Sequence, residues 1–111
     1  MTSFNIHIGY VSWGSGGKRR PVLILTRGDG EVTAFPITSQ ITNMSKKVRK
    51  RYYFIADLAE TGLVKPSAID IGVAINLLLS DVSVKPIGKL SDADKTNLIR
   101  AVLIRQQANR E

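Results

Sequence analysis

Few side chains in this 111-residue sequence are equipped for chemistry, and the shortage narrows what the chain can do. Cysteine is absent, which removes disulfides, thiolate nucleophiles and cysteine-based zinc sites together and is compatible with a reducing cytosol. His7 is the single histidine, so a two-histidine ribonuclease mechanism and an HExxH metal site are both excluded by count. It lies inside a β-rich string and reads as a structural strand residue. The nine acidic residues are dispersed, with no pair spaced as a carboxylate dyad or a two-metal cluster. The glycines of GSGGKRR precede a strand, whereas a phosphate-cradling loop opens a helix, so a P-loop is excluded too. No metal and no cofactor is expected. What remains is guanidinium and hydroxyl: Arg19 and Arg20 in GGKRRPVLIL, and Thr38 and Ser39 in FPITSQ.

Charge points toward a polyanion. The formal net charge is +7 and the calculated pI about 10.1, which suits RNA, DNA or an acidic protein. Lys18, Arg19 and Arg20 form one basic cluster. Lys46, Lys47, Arg49, Lys50 and Arg51 form a second, followed at once by Tyr52 and Tyr53. Cations beside aromatic rings fit single-stranded nucleic acid, where phosphates meet the charges and bases stack on the rings. The same pattern also fits a solubilising face with two core tyrosines. Lys18 and Arg19 can hold flanking phosphates or simply solvate a turn, and Ser39 and Gln40 can touch RNA or shape one. Trp13 can stack on a base or fill the core.

The elements that must position these groups follow from hydrophobic periodicity. Phe4, Ile6, Ile8 and Tyr10 alternate along a first strand ending at Trp13. WGSGG follows as a mobile loop. Arg20 to Thr26 is a second strand, in which Pro21 must sit at the start or on an edge. Asp29-Gly30 between two apolar runs signals a hairpin into a third strand, Glu31 to Ile37. Ser39 to Lys50 reads as a loop or one short helical turn. Tyr52 to Asp57 is a fourth strand, and a turn at Glu60 to Gly62 leads into Leu63 to Asp70. The apolar run Val73 to Leu79 and a short strand around Val82 to Pro86 complete the set. Ser91 caps a C-terminal helix with Asp92 and Asp94 in its first turn, where the macrodipole favours negative charge. Leu98, Ile99, Val102 and Leu103 recur at helical spacing and should pack on the sheet. A meander of short strands closed by one amphipathic C-terminal helix is a small, mainly β, α+β domain on a curled, barrel-like sheet, with residues 1–111 as one unit. No signal peptide is evident, and no apolar run approaches the ~20 residues that span a bilayer. The expectation is a cytoplasmic protein with no membrane partner.

Four segments in order, GKRRPVLIL, FPITSQ, ETGLVKPSAI and IGKLSDAD, resemble the MazF/PemK family of toxins over nearly the whole chain. The resemblance implies an SH3-like barrel, a homodimer and a metal-independent endoribonuclease cutting single-stranded RNA at short motifs. It implies as well an acidic cognate antitoxin encoded alongside. Arg20 then occupies the place of the family's catalytic arginine before Pro21, and Thr38 matches the threonine or serine that closes the active site. A fixed guanidinium can hold two phosphate oxygens and stabilise charge building on phosphorus. The remaining candidates for contact with RNA are Lys18, Arg19, Ser39, Gln40, Trp13, Lys46, Lys47 and Arg49. Two features depart from the family: SWGSGGKR is short, and DIGVAINLLL stands where an Asp-Gln and a later arginine are usual. Two other readings stay open, a gyrase-binding toxin on the same fold, like the CcdB proteins, and a barrel that binds RNA without cutting it.

Overall fold

The computed structural model describes residues 4–108. Their elements run β1 (Asn5–Trp13), β2 (Gly16–Arg27), β3 (Glu31–Thr38), α1 (Lys46–Arg49), β4 (Tyr52–Phe54), β5 (Ala68–Asp70), β6 (Ile75–Leu78), β7 (Gly88–Lys89) and α2 (Asp92–Ala108). The strands form a seven-stranded antiparallel sheet in the order β4-β5-β3-β2-β1-β7, with β6 pairing β3 as a branch. The mainly β class and the closing helix are as expected.

The sheet curls around β3, whose far edge is shared by two partners. Its first half pairs β6 as far as Ala34 opposite Ile75, and its second half pairs β5 from Ile37 opposite Ile69. Pro36 lies between the two pairings, where a residue without an N–H costs no ladder bond. Pro21 obeys the same rule, because β2 is paired on its β3 side only from Val22 onward. A register shift between Ile24 and Thr26 adds a bend to β2.

Strand alternation buries both faces. Ile6, Leu23, Phe35, Ile37, Ile55, Ile69 and Ile71 pack with Leu90 and Leu98 on one side. Val22, Ile24, Val32, Ala34, Leu77 and Val82 make a smaller cluster on the other. Fully burying one such side chain contributes about 1.5–3 kcal/mol, so the larger cluster dominates stability.

Several expected boundaries move, each because backbone N–H groups go elsewhere. WGSGG is no mobile loop: β1 and β2 pair out to Trp13 opposite Gly16, leaving Gly14 and Ser15 as a two-residue hairpin turn. The fourth strand stops at Phe54, since the amides of Ala56 and Asp57 bind the Asp94 carboxylate instead of a neighbouring strand. Leu63 to Asp70 is extended strand only over Ala68–Asp70. No strand spans Val82 to Pro86. That segment follows the outer edge of β1 irregularly, with Ser83 and Ile87 donating to the carbonyls of Ile8 and Ile6 at 2.8 and 2.7 Å, and the short strand falls at Gly88–Lys89. Helix α2 meets the sheet through Leu98, Ala101 and Val102, whereas Ile99, Leu103 and Ile104 are exposed. The expected four-residue stripe is thus only half inward.

Candidate active site

The β2–β3 register places the two leading candidates together. Ile24 lies opposite Ala34, Leu23 opposite Phe35 and Val22 opposite Pro36. Carried two residues further, 22 − 2 and 36 + 2, the same register sets Arg20 against Thr38, just past the end of the ladder. Arg20 also lies opposite Gly9 on β1, and Thr38 opposite Ala68 on β5, which in turn faces Phe54 on β4. A single row therefore crosses five strands on one face: Gly9, Arg20, Thr38, Ala68, Phe54.

Each member is held by local structure. Arg20 is half-buried, with its Nε shielded from solvent at the foot of the smaller core cluster. A guanidinium rooted this way keeps its orientation better than a freely solvated one. Thr38 is half-buried as the last residue of β3, and its Oγ1 accepts a 3.1 Å hydrogen bond from the Gln40 amide. That bond turns the chain out of the strand and uses only acceptor capacity, so the hydroxyl proton can still be donated. Arginine and threonine side by side on neighbouring strands suit a phosphate: the first supplies paired N–H donors and positive charge, the second one O–H donor.

The other sequence candidates separate by face. Lys18, opposite Val11, shares the Arg20 face. Arg19 points the other way, beside Tyr10, and Ser39 lies with Pro21 and Ile37 around a small pocket on that opposite side. Gln40 contributes its backbone amide to Thr38. Trp13 ends β1 by its backbone, and its side chain lies outside the described residues.

The second basic cluster divides by role. Lys46, Lys47 and Arg49 lie exposed on α1, which Ser45 caps by accepting from the Val48 amide at 3.2 Å. Arg49 reaches across to β4, its guanidinium carbon 4.5 Å from the centroid of the Phe54 ring. Arg51 instead binds Asp70 through both carboxylate oxygens, at 3.1 and 2.7 Å, while the Gly72 amide donates to the same carboxylate. The hydrogen bond and charge of Asp70 push the Arg51 pKa up, and that group is committed to joining α1 to β5. It also holds the buried Asp70 at the start of the segment that departs from the MazF/PemK pattern.

Of the two tyrosines beside this cluster, Tyr52 remains near the cations, 5.7 Å from the Arg51 guanidinium. Tyr53 turns inward: it packs on the larger core and its hydroxyl donates to Asp94. The ring that aligns with Arg20 and Thr38 is Phe54, which sequence reading missed. Its signal was strand alternation, since Tyr52 and Phe54 share a face that Tyr53 does not. Among the described residues, no group of three or more His, Cys, Asp or Glu side chains could hold a metal ion, and no helix is long and apolar enough to cross a membrane.

No family model matches the chain, and no curated protein does. Solved structures do. The Mycobacterium tuberculosis toxin MazF-mt6 superposes with a TM-score of 0.66 and 27% identity, covering 88% of this chain and 91% of that one. An Mtb toxin gives a TM-score of 0.61 and 25% identity, covering 86% and 94%. An endoribonuclease from a mycobacterial species, solved in complex with its cognate antitoxin, gives a TM-score of 0.59 at 13% identity, covering 86% of each chain, a likeness of fold alone. These likenesses support the resemblance read from the four sequence segments: over most of its length the chain is similar in fold to MazF toxins.

Proposed function

We propose that this MazF-like chain is the toxin half of a toxin–antitoxin pair and acts as an endoribonuclease on single-stranded RNA. The observation that carries the reading is the register that sets Arg20 against Thr38 beyond the end of the β2–β3 ladder, on a fold shared with a MazF toxin. Its chemistry is metal-independent attack of a ribose 2′-OH on the adjacent phosphorus. The new 2′-O–P bond forms, the P–O5′ bond breaks, the 2′-OH proton is lost and the departing 5′ oxygen gains one. The products are a 2′,3′-cyclic phosphate and a 5′-OH. Arg20 neutralises charge as it builds on the non-bridging oxygens, and Thr38 holds the phosphate in line. Lys18, Lys46 and Lys47 supply charge along the strand of RNA, and cutting messenger RNA in the cytoplasm arrests growth.

An acidic antitoxin fits the same basic surface and restrains the enzyme by competing with RNA for it. The protein works as a homodimer; Ile99, Leu103 and Ile104, left uncovered by this chain, support a second protein surface there.

The test is the ribose hydroxyl. In the presence of a chelator, single-stranded RNA of varied sequence is cut to fragments with cyclic phosphate ends, while the same sequences with 2′-deoxy or 2′-O-methyl ribose stay intact. Cutting of the deoxy strand, or no cutting of any RNA at high enzyme concentration, contradicts the reading.

A further inference from the structure

The row that joins Arg20 to Thr38 does not end at β3. It continues through the small, fully buried Ala68 to Phe54. At about 4.8 Å per strand, Phe54 stands about 10 Å from Thr38 and about 14 Å from Arg20 across the sheet. A guanidinium from α1 approaches the Phe54 ring at 4.5 Å, and α1 carries two further exposed cations, Lys46 and Lys47. The larger core lies on the opposite face of the sheet, so Phe54 is a half-exposed ring outside it. Nothing in the hydrophobic packing of either cluster uses this ring.

We propose that Phe54, backed by Arg49, is a base-stacking platform of this site, holding the nucleobase of a nucleotide that flanks the phosphate between Arg20 and Thr38. Phenylalanine has no hydrogen-bonding group, so it accepts any base by its π-face, and arginine offers both a stacking plane and a phosphate partner. The platform lets the RNA run across the strands, from β2 over β3 and β5 to β4, where the α1 cations meet its backbone. It rests on the proposed nuclease reading for the direction of the strand, but it makes a claim about binding that stands apart from cleavage.

The experiment measures binding of a fluorescein-labelled 2′-O-methyl RNA oligonucleotide of mixed sequence, which attack by a 2′-OH cannot cut, together with the same backbone carrying abasic positions. Wild-type protein should bind the oligonucleotide with bases about tenfold more tightly than the abasic one, within the range known for stacking on one ring. Phe54→Leu should lose about that factor on the base-bearing strand and little on the abasic strand, and Phe54→Trp should restore it. Arg49→Gln should weaken both strands. Thermal unfolding of each variant confirms that it is folded. If folded Phe54→Leu discriminates between the two strands as the wild type does, the platform is wrong, whether or not RNA is cut. If discrimination depends on Phe54 while RNA stays uncut, the nuclease reading fails and the platform stands.

Discussion

Asp94 is a buried carboxylate that survives because donors converge on it. It accepts from the Tyr53 hydroxyl, from the amides of Ala56 and Asp57 at 3.0 and 2.9 Å, and from Ser91. Burial alone pushes its pKa up, but these hydrogen bonds outweigh it and the net shift is downward. Tyr53 shifts the other way, pushed up to about 12 by burial and by its bond to Asp94. The signs decide the pH dependence. A carboxyl lowered on folding contributes stability that is present above its unfolded value of about 3.9 and is lost as pH falls through the folded one. A phenol raised on folding contributes stability that is present below its unfolded value of about 10 and is lost as pH climbs toward 12. Asp94→Asn should therefore flatten the acid limb of a melting-temperature profile, Tyr53→Phe the alkaline limb, and Asp94→Ala should destabilise by about 3 kcal/mol near neutrality. A wild-type profile without either limb would contradict this account of the pair. The sequence showed Asp94 only as a first-turn acid on a helix, because apart from Ser91 its partners lie some 40 residues away and no local pattern reports them. Arg20 and Thr38, the proposed catalytic pair, were named on local signals: elimination left Arg19, Arg20, Thr38 and Ser39, and the family resemblance then singled out these two. Phe54 went unremarked because only Tyr52 and Tyr53 were noted beside the cations, and the pleat turns Tyr53 inward.

At the scale of elements, two of the sequence segments that carried the family resemblance meet backbone to backbone. Gly62 sits at φ +78°, where a Cβ would come within 2.2 Å of the Ile87 carbonyl oxygen. Gly88 lies against the Thr61 backbone, with its own added Cβ 2.2 Å from the Thr61 carbonyl carbon. The Lys89 amide closes the contact on the Glu60 carbonyl at 2.9 Å. The glycines of ETGLVKPSAI and IGKLSDAD thus dock the 60s turn on the approach to α2 and act on the fold. Gly88→Ala must separate two backbones and should cost more than about 3 kcal/mol or prevent folding, the range for a substitution that overpacks a rigid contact. Gly28→Ala, whose methyl would meet nothing nearer than 4.0 Å, should change the denaturation midpoint far less. Equal midpoints for the two variants would contradict the docking role. The β2–β3 hairpin and the C-terminal helix could be read in advance from alternation, Asp-Gly and the serine cap. The bounds of the short strands β4 and β7 could not, since they are set by Asp94 and by irregular pairing along β1.

At the scale of the whole molecule, two faces differ in character. One face carries the row from Arg20 to Phe54, edged by Lys18 and the α1 cations. Toward the other lies an apolar groove of about 500 Å³ between α2 and the sheet, lined in part by Leu25, Phe35, Ile71, Val102 and Leu103. A net charge of +7 suits RNA and acidic protein alike, so on the proposed reading charge accounts for encounter and leaves chemistry to Arg20 and Thr38. The central claim is that Arg20 does this chemistry, and a matched pair of cleavage assays tests it most directly. Wild-type protein and Arg20→Ala, shown to unfold at the same temperature, are incubated with the same single-stranded RNA in chelator. The account predicts cyclic-phosphate fragments from the wild type and a loss of at least about 100-fold in rate for Arg20→Ala, the effect of removing one preorganised donor from a developing negative charge. Undiminished cleavage by folded Arg20→Ala would contradict it.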